Sequence, residues 1–344
     1  MSIISFNTKP FSLLLKSPII TSKSIITERK GFNLYVSKNG HTAYGECSPL
    51  PEFGSETLED AVKSLNNLSI DDSILESHNF IRDLESCLVP FTGSPSLCHA
   101  VEQALVNLYA AIHNITYSKI FQVKAKNYIY VNGFIGIADI KETLNKVQGL
   151  VNCGVTTIKL KFGRPDFNEE LQILEEISGL YGSKVKLRLD INGAWELGTA
   201  IKRINQFSGF NIEYIEQPVL SAIELEETAA NCSIPIAADE SIRSVNEAFN
   251  IIKGSFIKVL VLKPMMLGGI INTLRIIEKA STRNIKTIIS SSFERSHAYA
   301  YAVHCASFIK EDWAHGLGTT DIFIDAYNEK KFEMKSGKIY TDAL

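Results

Sequence analysis

From residue 128 onward, short runs of β-branched and apolar residues alternate with longer amphipathic runs, and this alternation restricts the possible folds more than any other feature. Runs with strand character recur at intervals of roughly 25 residues, as expected for one strand plus one helix. They cover residues 129–133, 157–161, 186–190, 213–216, 234–239, 257–262, 286–290 and 313–315. Helical spacing of apolar residues is found between them, at residues 140–151, 168–179, 198–206, 222–231, 245–253 and 271–283. Eight strands joined by helices predict an α/β fold with a closed, parallel β/α barrel.

An open, doubly wound parallel sheet is the alternative fold that the same alternation allows. A dinucleotide-binding version of that fold carries a Gly-x-Gly-x-x-Gly motif directly after an early strand. No such glycine pattern follows the early strands of this chain. The barrel is therefore the favoured prediction.

The N-terminal third of the chain follows a different pattern and predicts a separate α+β unit. Residues 2–35 contain short β-like runs interrupted by a polar insert at 16–30, and prolines punctuate a loop at 45–51. Apolar residues at helical spacing follow at residues 56–68, 72–88 and 97–113. We expect a small unit of sheet and helices in front of the barrel.

Composition excludes several classes of protein. The 344 residues carry a net charge of −3 with no basic stripe, which argues against a nucleic-acid partner. No apolar run reaches the ~18 residues of a membrane span, and the N-terminus does not resemble a signal peptide. The six cysteines show no Cys-x-x-Cys spacing, which predicts reduced thiols in a cytoplasmic protein. Composition does not indicate the oligomeric state.

Charged side chains stand at the C-terminal ends of five successive strands of the predicted barrel, where the active sites of such barrels lie. They are Lys159 and Lys161, Asp190, Glu216, Asp239 and Lys263. The alternation within residues 157–161 points both lysines to the same side of their strand. One acidic residue after a strand is commonly a helix N-cap. Three on successive strands, flanked by lysines, indicate a functional cluster.

Three carboxylates at one barrel mouth repel each other unless a hard divalent cation neutralises them. Oxygen ligands with room for water favour Mg²⁺, for which Mn²⁺ is a chemically similar substitute. Such a cation stabilises the charge that forms when the proton next to a bound carboxylate is removed. A lysine removes that proton only when it is neutral, so its pKa must fall from ~10.4 toward the working pH. Lys159, Lys263 and the metal are the cationic neighbours that favour the neutral form of Lys161.

The motifs at these strand ends resemble the signature of the enolase superfamily, in its muconate-lactonising subgroup. They read Lys159-Leu160-Lys161, Leu187-Arg188-Leu189-Asp190-Ile191-Asn192, Ile215-Glu216-Gln217-Pro218, Ala238-Asp239-Glu240-Ser241 and Leu262-Lys263-Pro264. The resemblance implies a (β/α)7β barrel at residues 121–318 and an α+β capping domain at 1–120, with a C-terminal segment, 319–344, that returns to the capping domain. It also implies Mg²⁺-assisted removal of a proton next to a carboxylate, a known pattern of this superfamily.

Loop sequences further resemble the o-succinylbenzoate synthase family of menaquinone biosynthesis. Residues 45–53 are similar to its cap loop, except that Glu52 stands where a glycine is expected. Residues 289–294 and 316–319 are similar to the ends of its seventh and eighth strands. The resemblance implies syn-dehydration of 2-succinyl-6-hydroxy-2,4-cyclohexadiene-1-carboxylate to 2-succinylbenzoate, through lysine proton abstraction and a metal-stabilised enediolate.

The resemblance also implies roles for the three lysines. Lys161 is the implied base, and Lys159 beside it orients the substrate carboxylate. Lys263 is implied to hold the developing anion from the opposite side of the substrate.

The acidic residues and their neighbours have implied roles as well. Asp190, Glu216 and Asp239 are the implied Mg²⁺ ligands. Asn192 is expected to support a metal ligand, and Glu240 is expected to hold Lys263.

Four further residues are expected to contact the substrate: Arg188, Ser290, Gly316 and Gly318. Ser290 and the amides of residues 316–318 are candidates to bind the succinyl carboxylate. Arg188 either lines the barrel near the substrate or is a buried structural arginine. Residues 11–23 and 49–55 are expected to form flexible lids over the barrel mouth.

Two other functions remain open at this point. An N-acylamino-acid racemase or dipeptide epimerase would use Lys161 and Lys263 as acid and base on two faces of its substrate. Dipeptide epimerases of the subgroup carry an Asp-x-Asp motif near the eighth strand, where this chain reads Gly318-Thr319-Thr320-Asp321. A non-catalytic binding protein on this scaffold would usually have lost a metal ligand or base, and none is lost here.

Overall fold

The computed structural model describes residues 3–20, 25–319, 322–324 and 332–341. Its first part is an antiparallel sheet of β1 (Phe6–Ile20), β2 (Ile25–Lys38) and β3 (His41–Cys47), in that order. The predicted polar insert at 16–30 is wrong, because most of it lies within β1 and β2, which are paired from Phe6 to Leu14 and again at Ile19 and Ile20. Exposed and buried residues alternate there, so Lys16 and Lys30 face solvent while Ile26 and Arg29 are buried. Residues 21–24, which include the end of the predicted lid, lie outside the described residues.

Four helices follow this sheet in the chain: α1 (Leu58–Asn66), α2 (Phe80–Leu88), α3 (Pro95–His113) and the short α4 (Tyr117–Ile120). Helix α3 packs against β2 and β3. The predicted helix at 72–88 is two elements, because the chain is extended at Ser77 between a 3-10 turn and α2. Helix α3 crosses β3 so closely that a Cβ at Gly45 would lie 2.0 Å from the carbonyl oxygen of Ala100. A glycine at this position is what allows the helix to reach the sheet.

The second part is a parallel α/β barrel, as predicted. Its strands are β4 (Tyr128–Val131), β5 (Gly133–Ile135), β6 (Thr157–Lys161), β7 (Lys186–Asp190), β8 (Ile212–Glu216), β9 (Ile236–Ala238), β10 (Val259–Leu262), β11 (Lys286–Ile289) and β12 (Ala314–His315). Strands β5 to β11 form one parallel sheet in sequence order. β12 pairs with β4, and a parallel bridge joins Ser290 to Gly316. The bridge joins the β11 edge of the seven-stranded sheet to β12, β12 pairs with β4, and β4 leads directly into β5 at the other edge.

The helices of the barrel follow the sequence pattern closely. They are α5 (Ile140–Asn152), α6 (Phe167–Tyr181), α7 (Leu197–Gln206), α8 (Ala222–Ala230), α9 (Val245–Lys253), α10 (Ile270–Ser281) and α11 (Ser296–Ser307). Each predicted helix agrees with one of the first six to within about two residues at either end, a usual uncertainty for helix ends. Helix α11 was not predicted, because its sequence is apolar on all sides, with no polar face to reveal the helical period.

The C-terminal segment makes contacts with both parts of the molecule. Phe323 bridges Leu15 of β1, and the Lys16 N–H donates to the Ile322 carbonyl oxygen, 2.8 Å away. Strand β13 (Lys338–Tyr340) pairs with β4 of the barrel instead. The boundaries proposed at residues 120 and 318 stay predictions.

A buried carboxylate joins α3 of the capping part to the barrel. Glu102 accepts hydrogen bonds from the Ile270 and Ile271 N–H groups at the start of α10, at 2.5 and 3.3 Å, and from the Tyr301 hydroxyl at 2.7 Å. Gly269 makes room for it, since a Cβ there would lie 2.4 Å from the carboxylate. Burial raises the pKa of Glu102 to about 7. The ionised carboxylate is therefore disfavoured in the folded protein.

This raised pKa predicts how Glu102→Gln changes stability with pH. Between about pH 4.5 and 7 the unfolded chain releases the Glu102 proton while the folded protein keeps it, so the wild type loses stability as pH rises. Glutamine keeps an acceptor oxygen but does not titrate. We expect the wild type to lose roughly 2 kcal/mol relative to the variant between pH 5 and pH 8. Urea unfolding of both proteins at the two pH values measures this change, and an equal difference at both would contradict it.

Candidate active site

The predicted catalytic residues meet at the C-terminal ends of the barrel strands. Lys161 pairs in register with Asp190, and Asp190 pairs in register with Glu216. Asp239 directly follows β9, and Lys263 directly follows β10. All three carboxylates are buried. The structure therefore brings the predicted acidic residues and lysines to one end of the barrel.

Two of the three lysines form ion pairs with these carboxylates. The Lys159 Nζ lies 2.9 Å from Asp190 Oδ2 and 2.7 Å from Glu216 Oε1. The Lys263 Nζ donates to both carboxylate oxygens of Asp239. Lys161 makes no hydrogen bond or ion pair within the part of the chain that the structure describes. Of the three, Lys161 is thus the lysine that is not tied to a carboxylate.

The mutual proximity of these charges changes their pKa values. Burial, reinforced by the charges of Asp190 and Asp239, raises the pKa of Glu216 to about 8. Burial alone would raise the pKa of Asp190 as well, but the charges of Lys159, Lys161 and Lys263 together hold it below its usual value.

Burial acts on the pKa values of Lys159 and Lys263 in the direction opposite to its effect on the carboxylates, because the charged form of a lysine is the protonated one. Burial alone would lower the pKa of Lys159 and of Lys263. The surrounding carboxylates outweigh burial and raise both values. Both side chains are therefore held as cations.

The donor set suits a hard divalent cation. Asp190 Oδ1 and Glu216 Oε2 are buried carboxylate oxygens with no hydrogen-bond partner among the described residues. A buried carboxylate oxygen left without a partner is costly, and a cation would satisfy it. In their present side-chain positions, however, no three acidic, histidine or cysteine side chains of the described residues are grouped closely enough to hold a metal. The Lys159 ammonium group already binds Asp190 Oδ2 and Glu216 Oε1, so a cation would have to compete with it for these oxygens.

Gln217 is a supporting residue that the sequence analysis quoted without assigning it a role. It is fully buried with φ +40°, and its Oε1 accepts the N–H groups of Asp239 and Ser241 at 3.0 and 3.2 Å. Its Nε2 donates to the Val219 carbonyl and the Ser241 hydroxyl. Gln217 therefore fixes the backbone that carries Asp239. Its place directly after Glu216 was the only signal in the sequence.

Asn192 and Glu240 were expected to support different groups, but the structure joins them to each other. The Asn192 Nδ2 donates to Glu240 Oε1 over 2.5 Å. Burial and the nearby charges of Asp239 and Asp190 raise the pKa of Glu240 to about 6. Glu240 acts on Lys263 through its charge, since the hydrogen bonds of Lys263 go to Asp239.

Arg188, which was expected either to contact substrate or to be structural, is bound by other residues of the protein. It is buried two residues before Asp190, with its Nε and Nη2 both 2.7 Å from Glu213 Oε2. Its Nη1 donates to Asn132 Oδ1 and to the Ala314 carbonyl at 3.0 and 2.6 Å. Because protein acceptors occupy the guanidinium, these contacts favour the structural interpretation of Arg188, and its contact with substrate stays a prediction.

The Gly316 N–H was expected to bind the succinyl carboxylate, but it donates a hydrogen bond to the Ile289 carbonyl oxygen, 2.8 Å away. The Ser290 hydroxyl makes a long contact, 3.4 Å, with the Gly316 carbonyl oxygen. Glycine at 318 allows a close approach of strands, since a Cβ there would lie 2.4 Å from the Asn132 carbonyl oxygen. The roles of Ser290 and Gly318 toward substrate stay predictions.

Two hydroxyls at the same strand ends were missed. Ser292 Oγ and Thr319 Oγ1 are buried and have no hydrogen-bond partner among the described residues. A buried hydroxyl of this kind is available to a ligand. The neighbouring positions Thr320 and Asp321, used in the comparison with epimerases, lie outside the described residues.

The loop at 49–55 reaches the charged cluster from the capping part. The Phe53 ring centroid lies 4.9 Å from the Lys263 Nζ and 6.1 Å from the ring centroid of Phe293. An aromatic face at this distance favours the cationic form of the lysine. The loop therefore lies over the site as predicted, while its mobility stays a prediction.

Comparison with known protein families covers most of the chain. The family described as enolase C-terminal domain-like matches residues 142–343, and that described as MenC, N-terminal domain, matches residues 7–86. Among the described residues, no helix is long and apolar enough to cross a membrane.

Curated relatives carry two different names. An o-succinylbenzoate synthase of Thermobifida fusca is 34% identical over 49% of this chain and 54% of its own length. An L-Ala-D/L-Glu epimerase of Francisella tularensis subsp. novicida is 26% identical over 97% of this chain and 96% of its own. An o-succinylbenzoate synthase of Desulfotalea psychrophila is 25% identical over 94% and 95%.

Solved structures share the fold at low identity. MenC from Desulfotalea psychrophila has a TM-score of 0.83 at 22% identity, covering 98% of this chain and 100% of its own. A dipeptide epimerase from Enterococcus faecalis, complexed with Mg and the dipeptide L-Leu-L-Tyr, has a TM-score of 0.85 at 23% identity, covering 95% and 93%. The match to the enolase C-terminal domain spans more than half of the chain, which therefore belongs to the enolase superfamily.

Proposed function

We propose that the protein is an o-succinylbenzoate synthase, which converts 2-succinyl-6-hydroxy-2,4-cyclohexadiene-1-carboxylate to 2-succinylbenzoate and water. The observation that carries the chemistry is the contrast among the three lysines. Lys159 and Lys263 are paired with carboxylates, whereas Lys161 stands beside the same carboxylates without a bonded partner among the described residues. A neutral lysine in that position can accept the proton on the carbon next to the carboxylate of a substrate bound at the cluster.

The residues of this chain then have distinct tasks. The Lys161 Nζ accepts the proton on the carbon next to the substrate carboxylate. In a syn elimination the leaving hydroxyl is on the same face as that proton, so the protonated Lys161 can return it to the hydroxyl as water departs. Lys263, held as a cation by Asp239, stabilises the negative charge that develops on the substrate between these two steps.

Asp190, Glu216 and Asp239 would hold Mg²⁺, and Mn²⁺ could replace it because both ions prefer oxygen ligands. When bound, the ion supplies positive charge that binds the substrate carboxylate and lowers the cost of removing the neighbouring proton. Gln217 keeps Asp239 at the end of β9 for this purpose.

The capping part favours the dehydratase among superfamily members. Residues 7–86 match the MenC N-terminal domain. The MenC structure that shares this fold is from Desulfotalea psychrophila, and a curated relative from the same organism is named o-succinylbenzoate synthase. We propose Ser292 and Thr319, together with Ser290, as the hydroxyls that bind the second, succinyl carboxylate.

A dipeptide epimerase is the second candidate, and a specific observation favours it. Lys161 on β6 and Lys263 after β10 are separated by three intervening strands, so they can approach a substrate from different sides. Two-sided proton transfer of this kind is what an epimerase requires. The relative from Francisella tularensis subsp. novicida, matched over nearly the whole chain, is named as such an enzyme.

One pair of assays separates the two candidates. The protein with Mg²⁺ is incubated with the cyclohexadiene carboxylate, and product formation is followed by absorbance. In parallel, it is incubated with L-Ala-L-Glu and with N-succinylamino acids in D₂O, and deuterium incorporation at the α-carbon is followed by NMR. We expect rapid dehydration and slower or no exchange. Exchange without dehydration would replace the proposed function with the epimerase or racemase.

A further inference from the structure

We propose that Arg29 is a positioning residue that ties the cap loop over the active site to the loop after β11, and so sets the place of the Phe53 ring above Lys263. The proposal rests on the proposed function only in treating Lys263 as part of the reacting site. Arg29 touches no residue to which a catalytic or metal-binding role has been given.

The guanidinium of Arg29 connects two loops from different parts of the fold. It is 3% exposed and extends from β2. Its Nη1 donates to the Pro49 carbonyl at 2.7 Å, and its Nη2 donates to the Ser48 carbonyl at 2.5 Å and the Ser48 hydroxyl at 2.9 Å. Its Nε donates to the Phe293 carbonyl at 3.2 Å. One side chain thus holds the backbone of both loops.

The two loops meet again through their aromatic rings. Phe53 is four residues beyond Pro49, at the end of a short turn closed by Phe53 N–H to Leu50 carbonyl and Gly54 N–H to Pro51 carbonyl bonds. Its ring contacts that of Phe293 and covers the Lys263 ammonium. Phe293 has φ +59°, a backbone conformation that a phenylalanine adopts only when its surroundings impose it. The Arg29 hydrogen bond to its carbonyl is one such restraint.

The geometry of an arginine is needed at this position. The acceptors are carbonyl and hydroxyl oxygens of three residues, spread around a planar guanidinium, and a lysine ammonium cannot reach them from one point. The charge of Arg29 is balanced by the nearby buried carboxylates of Glu46 and Glu294 and by Glu52. The charge of Arg29 therefore fits its surroundings, while its planar shape does the positioning.

Hydrogen exchange monitored by mass spectrometry tests the proposal without depending on any substrate. The variants are Arg29→Met and Arg29→Lys, with Lys30→Met as the matched control. Lys30 is the next residue on β2, its side chain is 58% exposed, and its ion pair is with Glu28. We expect amides of residues 50–55 and 291–295 to exchange about tenfold faster or more in both Arg29 variants, because each loses charged hydrogen bonds to the loops. Barrel helices α6 to α9 and the Lys30 control should exchange as in the wild type.

Kinetics provide the second readout. With the substrate that the wild type turns over, kcat/KM should fall about tenfold in Arg29→Met, while the Kd for Mg²⁺ is unchanged because its ligands lie on the barrel strands. The proposal is overturned if both loops exchange at the wild-type rate, or if exchange rises equally throughout the chain. Full recovery in Arg29→Lys would overturn the geometric part. If the wild type acts on neither substrate, the proposed function fails, and hydrogen exchange still decides the role of Arg29.

Discussion

Replacing Lys161 with alanine is expected to lower kcat about 10⁴-fold, the upper range for loss of a general base. The expectation follows from the ion pairs of the site. Lys159 is held between Asp190 and Glu216, and Lys263 is held by Asp239, so neither can take over as a neutral base. Turnover of the cyclohexadiene carboxylate by purified variant and wild type, with saturating Mg²⁺, measures the loss.

Two controls show that the loss concerns proton transfer. Lys161 makes no hydrogen bond or ion pair with the acidic side chains of the described residues, so Mg²⁺ binding, measured by calorimetry, should be retained in Lys161→Ala. Lys161→Arg places at this position a guanidinium that is too weakly acidic to become a neutral base, and it should be as inactive as the alanine variant. Activity above a tenth of wild type in either variant would show that another group removes the proton.

Glu216→Gln is expected to weaken Mg²⁺ binding by at least about 100-fold, more than the loss typical for changes to groups that only support a ligand. The variant removes a carboxylate, and Lys159 then remains paired with Asp190 alone. Titration calorimetry of metal-free protein with MgCl₂ measures the affinity. Binding within a factor of three of wild type would exclude Glu216 as a ligand.

A folding control separates lost binding from unfolding in this variant. The 2.7 Å contact between Lys159 Nζ and Glu216 Oε1 can persist with the amide oxygen of glutamine as the acceptor. We expect the metal-free variant to match the wild type in far-UV circular dichroism and to unfold in urea in a single cooperative transition.

Much of the barrel could be predicted because its signals are local. Strands β6 and β7 and helix α9 have the bounds that the sequence analysis gave them. Alternation of polar and apolar residues locates a strand to within a few residues of the chain. Acidic residues at the strand ends indicate which end of the barrel carries the site. The location of Asp190, Glu216 and Asp239 at one end of the barrel followed from the topology alone.

The parts that could not be predicted depend on contacts between distant segments. Arg29 was placed in a polar insert because its neighbours Glu28 and Lys30 are polar, and its buried partners lie about 20 and 264 residues away in the chain. Arg188 also meets its partners Glu213 and Asn132 inside the barrel, 25 and 56 residues away in the chain. The pairing of Lys159 with two acidic residues likewise depends on side-chain positions, which strand alternation does not specify.

An anomalous difference map from crystals grown with Mn²⁺ tests the central claim most directly, because it locates the cation relative to the lysines. The account predicts one strong peak bonded to Asp190, Glu216 and Asp239, with the Lys159 ammonium moved off the oxygens of Asp190 and Glu216 and with Lys161 beside the open coordination positions. A peak coordinated by other side chains, or no peak at these three carboxylates at saturating Mn²⁺, would contradict it.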